Sequence, residues 1–149
     1  MGCDIHPYCE KLVDGKWEFV LTNIFDWRSY SIFGFLGDVR NYSCCEPLSK
    51  NRGLPEDVSE YVKKIRYEDD QCHSTSFLTL KELLDFDYDK TFWNRRIYRG
   101  NSGACIAEPG EGEIVSYREF LGDGFFLELE KMKAFGSPEE VRLVFWFDN

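Results

Sequence analysis

Apolar and polar side chains alternate at the start of the chain and predict a β-hairpin over residues 3–13 and 16–21. In the second arm Trp17, Phe19 and Leu21 alternate with Lys16, Glu18 and Val20, the period of a half-buried strand. Asp14-Gly15 between the arms is a strong hairpin signal, because the tight turn needs positive φ. Pro7 brings no amide donor, which places the first arm at a sheet edge or gives it a bulge there. At the other end, Val141-Arg-Leu-Val-Phe-Trp-Phe147 reads as a strand.

Between these strands the period changes to that of helices. Residues 28–37 read as a short helix with Ile32, Phe33 and Leu36 on one face, weakened by Gly34. Residues 55–67 are the clearest helix. Pro55 suits its first position, Glu56 and Asp57 its positive end, and Lys63, Lys64 and Arg66 its negative end. Residues 69–78 read as a polar loop. Thr79 then caps a helix to Phe86, with Glu82 completing a capping box and Leu78 stapling onto Leu83. A strand is expected over 91–99, a turn-rich loop over 100–112, a short helix from Ser116 to Leu121 and an amphipathic helix over 125–135. No repeat, linker or low-complexity segment divides the chain. The pattern predicts one α+β domain over residues 1–149: an antiparallel sheet holding the N-terminal hairpin and the C-terminal strand, packed with several short helices.

Composition narrows the function. A chain that is 43% hydrophobic and 17% aromatic argues against disorder and for a real core. Its aromatic rings suit flat ligands, although each ring taken singly is better read as core. The net charge of −9 excludes a groove for duplex nucleic acid, which needs a positive surface. A small phosphorylated ligand stays open, because two or three arginines in one pocket outweigh a distant negative field. Residues 1–13 carry Asp4, His6, Glu10 and Lys11 where a secretory signal needs an apolar run, and no stretch has the length of a membrane span. The expectation is a cytosolic protein whose six cysteines are reduced thiols. A zinc site built on Cys72-His73 with Cys3 or His6 lacks the usual ligand spacing. Homo-oligomer formation stays open.

The chain has two histidines. His6 lies two residues after Asp4, so in a strand both point from one face, with Tyr8 after them. Such a pair can hold a divalent metal, or Asp can orient His for acid–base work; the bland alternative is a polar face that meets water. His73-Ser74 precedes a helix, a usual place for functional side chains, with local capping as the plain alternative. Arg28, Arg40 and Arg52 flank loops and can clamp phosphate or carboxylate; singly, each reads as a surface ion pair. No Walker or dinucleotide motif, GxSxG, HExxH or nucleophile triad is present.

The opening Met-Gly-Cys-Asp-Ile-His resembles that of an uncharacterised family of small bacteriophage and prophage proteins. The same pattern continues in Arg28-x-Tyr30-x-x-Phe33-Gly34, Arg52-Gly-Leu-Pro-Glu-Asp-Val-Ser59, His73-Ser74-x-Ser76-Phe-Leu-Thr-Leu-x-Glu-Leu83, Phe86-Asp-Tyr-Asp-Lys-Thr91 and the closing Val-Phe-Trp-Phe-Asp148. Pro7 departs from the apolar residue expected after the opening motif, and residues 97–113 match nothing in the pattern. The resemblance implies that Asp4, His6, Arg28, Arg52, His73 and Ser74 recur as one set, which suits a shared site. It also implies an accessory role in the host cytosol. The leading expectation is a protein that binds and sequesters a nucleotide-derived signal, of the cyclic-nucleotide or ADP-ribose type, in counter-defence. The ligand-binding residues are then Asp4, His6, Tyr8, Arg28, Arg52, His73 and Ser74. The first alternative is a hydrolase or phosphodiesterase with Asp4, His6 and His73 as catalytic residues or as ligands of a divalent metal cofactor. A protein that inhibits a host enzyme by direct contact, through its acidic surface, is the second.

Overall fold

Seven consecutive residues from Val141 to Phe147 are buried, a run expected only of a strand covered on both faces. The computed structural model, which describes residues 2–149, places this strand inside the sheet. β1 (Asp4–Val13) and β2 (Lys16–Leu21) form the hairpin, β3 spans His73–Thr79, and the C-terminal strand β8 spans Val141–Asp148. They make one antiparallel sheet in the order β2-β1-β8-β3. Asp14 and Gly15 turn the hairpin with φ of 49° and 78°, as the Asp-Gly signal requires. Pairing with β2 begins only at Cys9, where a register shift falls. Pro7 therefore lies beyond the end of the β2 ladder, and its carbonyl accepts from the Thr22 hydroxyl at 2.8 Å.

The β1–β8 register alternates between two cores. On one face Ile5, Cys9, Leu143, Phe145 and Phe147 join the main cluster. α1 (Tyr30–Gly37), α3 (Leu80–Asp85), α4 (Tyr117–Leu121) and α5 (Asp123–Lys133) supply its helical side, through Phe33, Leu83, Tyr117 and Phe125 among others. Gly37 packs against this face so closely that a Cβ there would meet the Phe147 ring at 2.7 Å. On the opposite face Val144 and Trp146 pack with Val58, Val62 and Ile65 around α2 (Glu60–Glu68). Two small ribbons, β4 (Thr91–Asn94) with β7 (Glu113–Ser116) and β5 (Arg96–Tyr98) with β6 (Ala104–Ile106), complete the α+β domain. Among the described residues no helix is long and apolar enough to cross a membrane.

Four elements differ from the sequence expectation, the first being the strand expected over 91–99, which is divided into β4 and β5 in separate ribbons. The helix expected from Pro55 starts at Glu60, because Ser59 is its N-cap and accepts from the Val62 amide. Residues 55–58 instead form a turn whose Asp57 carboxylate binds Arg142 at 2.8 Å. The polar loop expected over 69–78 contains β3, which pairs with β8 through Ser76, Phe77 and Leu78. Its serines and threonines hide a strand, because pairing with an apolar neighbour decides the matter rather than propensity. Residues 100–112 hold β6, and β7 follows at Glu113. The Thr79–Glu82 capping box is present as expected, with both reciprocal bonds at 3.1 Å.

Candidate functional site

Arg28, Ser29, Tyr30, Ser31 and Arg96 line a pocket of about 290 Å³ at the start of α1. Local sequence makes this end of the helix. Ser29 is extended, at φ −140° and ψ 106°, and its hydroxyl caps the helix by accepting from the Ile32 amide. The first-turn amides and the helix dipole make the position positive. Tyr30 is anchored by its phenol, which accepts from the Cys3 amide at 3.3 Å. Arg96 reaches the pocket from β5, with its guanidinium 5.5 Å from the ring centres of both Tyr30 and Tyr98.

The two arginines differ in their electrostatics. Arg28 forks onto Asp4, with Nε and Nη2 donating to the two carboxylate oxygens at 2.9 and 2.8 Å. That bond holds the Asp4 carboxyl below its ordinary range, with a smaller contribution from His6. Arg96 has no carboxylate within ion-pair reach among the described residues. Its Nε is buried and has no acceptor. A buried donor left in this state costs about 1–3 kcal/mol, so the pocket holds a positive group whose hydrogen bond the protein does not complete.

His6 bonds neither Asp4 nor His73. Its Nε2 is 2.8 Å from Asp148 Oδ2, and its ring stacks at 6.4 Å on Trp146, its register partner in β8. Tyr8 stacks on the same indole at 4.8 Å, and burial raises its phenol pKa. His73 pairs with Phe147 and stacks on that ring at 6.3 Å. Trp146 and Phe147 are successive residues of a strand and face opposite sides, one in each hydrophobic cluster. His73 thus lies on the opposite face of the sheet from His6. Its Nδ1 is 2.9 Å from the Ser74 hydroxyl. Ser74 itself sits at φ 57°, inside the β3–β8 register shift.

Arg52 is committed elsewhere. Its guanidinium donates to Glu82 at 2.8 and 2.5 Å and to the Phe77 carbonyl at 3.1 Å. It lines a larger cleft of about 600 Å³ with Asp57, Phe77 and Arg142. Arg142 is also neutralised, by Glu10 and Asp57 at 2.8 Å each. This cleft carries no spare positive charge. An apolar groove of about 540 Å³ beside Trp93 and Ile114 carries Glu111 and Glu113 and suits no anion.

The expected set of Asp4, His6, Arg28, Arg52, His73 and Ser74 is thus distributed over several separate arrangements. Asp4 and Arg28 go together at the α1 pocket, His6 goes with Asp148, His73 with Ser74, and Arg52 with Glu82. Arg40, the third arginine read as a clamp, donates instead to Tyr42 and Asn149. Sequence reasoning missed Arg96 and the two serines beside Arg28. Arg28-Ser-Tyr-Ser31 carries a readable signal, a cap serine after an arginine, but nothing near Arg96 in the sequence ties it to that cap. No protein-family model, curated protein or solved structure matches the chain.

Proposed function

We propose that this protein binds and sequesters a small phosphorylated ligand, nucleotide-derived, with the phosphate held between Arg28 and Arg96. The observation that carries the proposal is the Arg96 guanidinium, which among the described residues has no carboxylate partner, beside a second arginine and a helix N-terminus. A phosphate in the pocket meets a planar, fixed charge suited to bidentate contact. Tyr30 and Tyr98 flank the same guanidinium and give a flat base an aromatic surface. The resemblance to phage proteins supports counter-defence as the setting, with a cyclic-nucleotide or ADP-ribose-type signal as the ligand. Sequestration is favoured over hydrolysis because the two histidines occupy opposite faces of the sheet, where they cannot act as acid and base on one bond.

The test is to incubate the protein with a panel of cyclic and ADP-ribose-type nucleotides, remove free ligand, denature and chromatograph the release. Intact ligand supports the proposal. Chemically altered ligand replaces it with the phosphodiesterase reading. If no nucleotide binds more tightly than about 1 mM, the nucleotide proposal fails.

A further inference from the structure

We infer that His6, Asp69 and Asp148 form a site for one divalent transition-metal ion, separate from the Arg28–Arg96 pocket. Each residue offers one donor atom, and the three atoms lie within 4.8 Å of one another. Donors bonded at about 2.0–2.2 Å to one tetrahedral ion lie about 3.4 Å from one another, so side-chain rotations on the order of 1 Å close the set, with the ion taking the place of the 2.8 Å bond between His6 and Asp148.

The donors come from three distant segments: β1, the C-cap of α2, and the last residue of β8. His6 and Asp148 are joined directly at 2.8 Å, and each of the three has a further anchor. His6 is stacked on Trp146. Asp148 follows from the β1–β8 register, in which it pairs with Asp4. Asp69 Oδ1 accepts from the Gln71 amide at 3.1 Å, a second-sphere bond that aims the carboxylate and leaves Oδ2 free.

Charge supports the same conclusion. Two half-buried carboxylates converge here, and among the described residues neither is ion-paired to a lysine or arginine. Arg66 donates through Nε to the Thr75 hydroxyl and through Nη1 to the Asp69 carbonyl, with its guanidinium 5.9 Å from the Trp146 ring centre, and pairs with neither carboxylate. An imidazolium neutralises one negative charge at most, whereas a divalent cation neutralises both. The imidazole favours a transition metal over calcium or magnesium, and three protein donors leave positions for water or a ligand.

The deciding probe is Mn²⁺, which the six free thiols do not draw away as they would a softer ion. Mn²⁺ is titrated into the chelator-treated full chain by calorimetry and by the loss of the free-ion electron paramagnetic resonance signal. The expected result is one site with a Kd tighter than about 100 μM, weakened about 10- to 100-fold by Asp69→Asn. The neighbouring exposed Asp70→Asn leaves it unchanged. Circular dichroism of the metal-free Asp69→Asn variant checks that it folds; should it not, His6→Gln takes its place with the same expected loss. Absence of saturable one-to-one binding below about 1 mM, or equal affinity in wild type and the folded donor variant, overturns the site.

Discussion

His6 stacks on Trp146 and His73 stacks on Phe147, consecutive residues of the same strand, so the two histidines face opposite sides of the sheet. Residues without shared partners contribute independently to stability. The free-energy changes of His6→Gln and His73→Gln in urea denaturation are expected to add in the double variant to within about 0.5 kcal/mol. A coupling well above that would mean that the two side chains act as one site.

Arg28 is partly neutralised before any ligand arrives, because Asp4 occupies its Nε and Nη2 and leaves Nη1 without a bond to it. The pair is exposed, and solvent screening leaves it little weight in stability. Asp4→Asn is therefore expected to leave the melting temperature almost unchanged while raising affinity for an anionic ligand several-fold. Arg28→Gln should lower that affinity about tenfold. Titration of ADP-ribose into both variants by calorimetry checks the opposite signs.

The buried Glu10 ties three elements together. Its carboxylate accepts from Arg142 Nε at 2.8 Å and from the Ser59 amide at 2.9 Å, the N-cap of α2, and Arg142 continues to Asp57. Removing one partner of a buried pair leaves an uncompensated charge and costs about 3–5 kcal/mol. Glu10→Ala is expected to lower the melting temperature by roughly 10 °C. Asp57→Asn, on the exposed end of the network, should cost about 1 kcal/mol or less.

Acid should weaken the attachment of α3. The Arg52 guanidinium and the Thr79 amide bring the Glu82 carboxyl down from 4.5 to about 2. Its folded pKa is below its unfolded one, so its stabilisation is complete above pH 4.5 and is lost as pH falls toward about 2. The pair is about one-third exposed, and screening limits the effect to about 1 kcal/mol. Comparing urea midpoints of wild type and Glu82→Gln at pH 6 and pH 3 should show the gap between them narrowing at the lower pH.

Local chemistry made part of this fold legible in advance. The Asp14-Gly15 turn, the Thr79–Glu82 capping box and the apolar run of β8 each depend on neighbours a few residues away. β3 was hidden because His73, Ser74, Thr75 and Ser76 carry polar side chains and become a strand only by pairing with β8. The sites were less legible for the same reason. Asp4, His6 and Arg28 were visible as polar residues near predicted elements. Asp148 lies 142 positions from His6, and no sequence period links them. Arg96 meets Tyr30 only because β5 and β6 bring the second ribbon to the start of α1. Alternation along β1 puts His6 and Tyr8 on one face, where both stack on Trp146. It says nothing of which strand will separate His6 from His73.

The most direct measurement of the central claim is the affinity of ADP-ribose for wild type and Arg96→Gln, by isothermal titration calorimetry at low and high salt. The account predicts saturable one-to-one binding by wild type, weakened by salt, and a loss of about tenfold or more in Arg96→Gln with the melting temperature unchanged or raised, since the substitution removes a buried donor that lacks an acceptor. Equal affinity in the two proteins, or no binding by wild type, would contradict it.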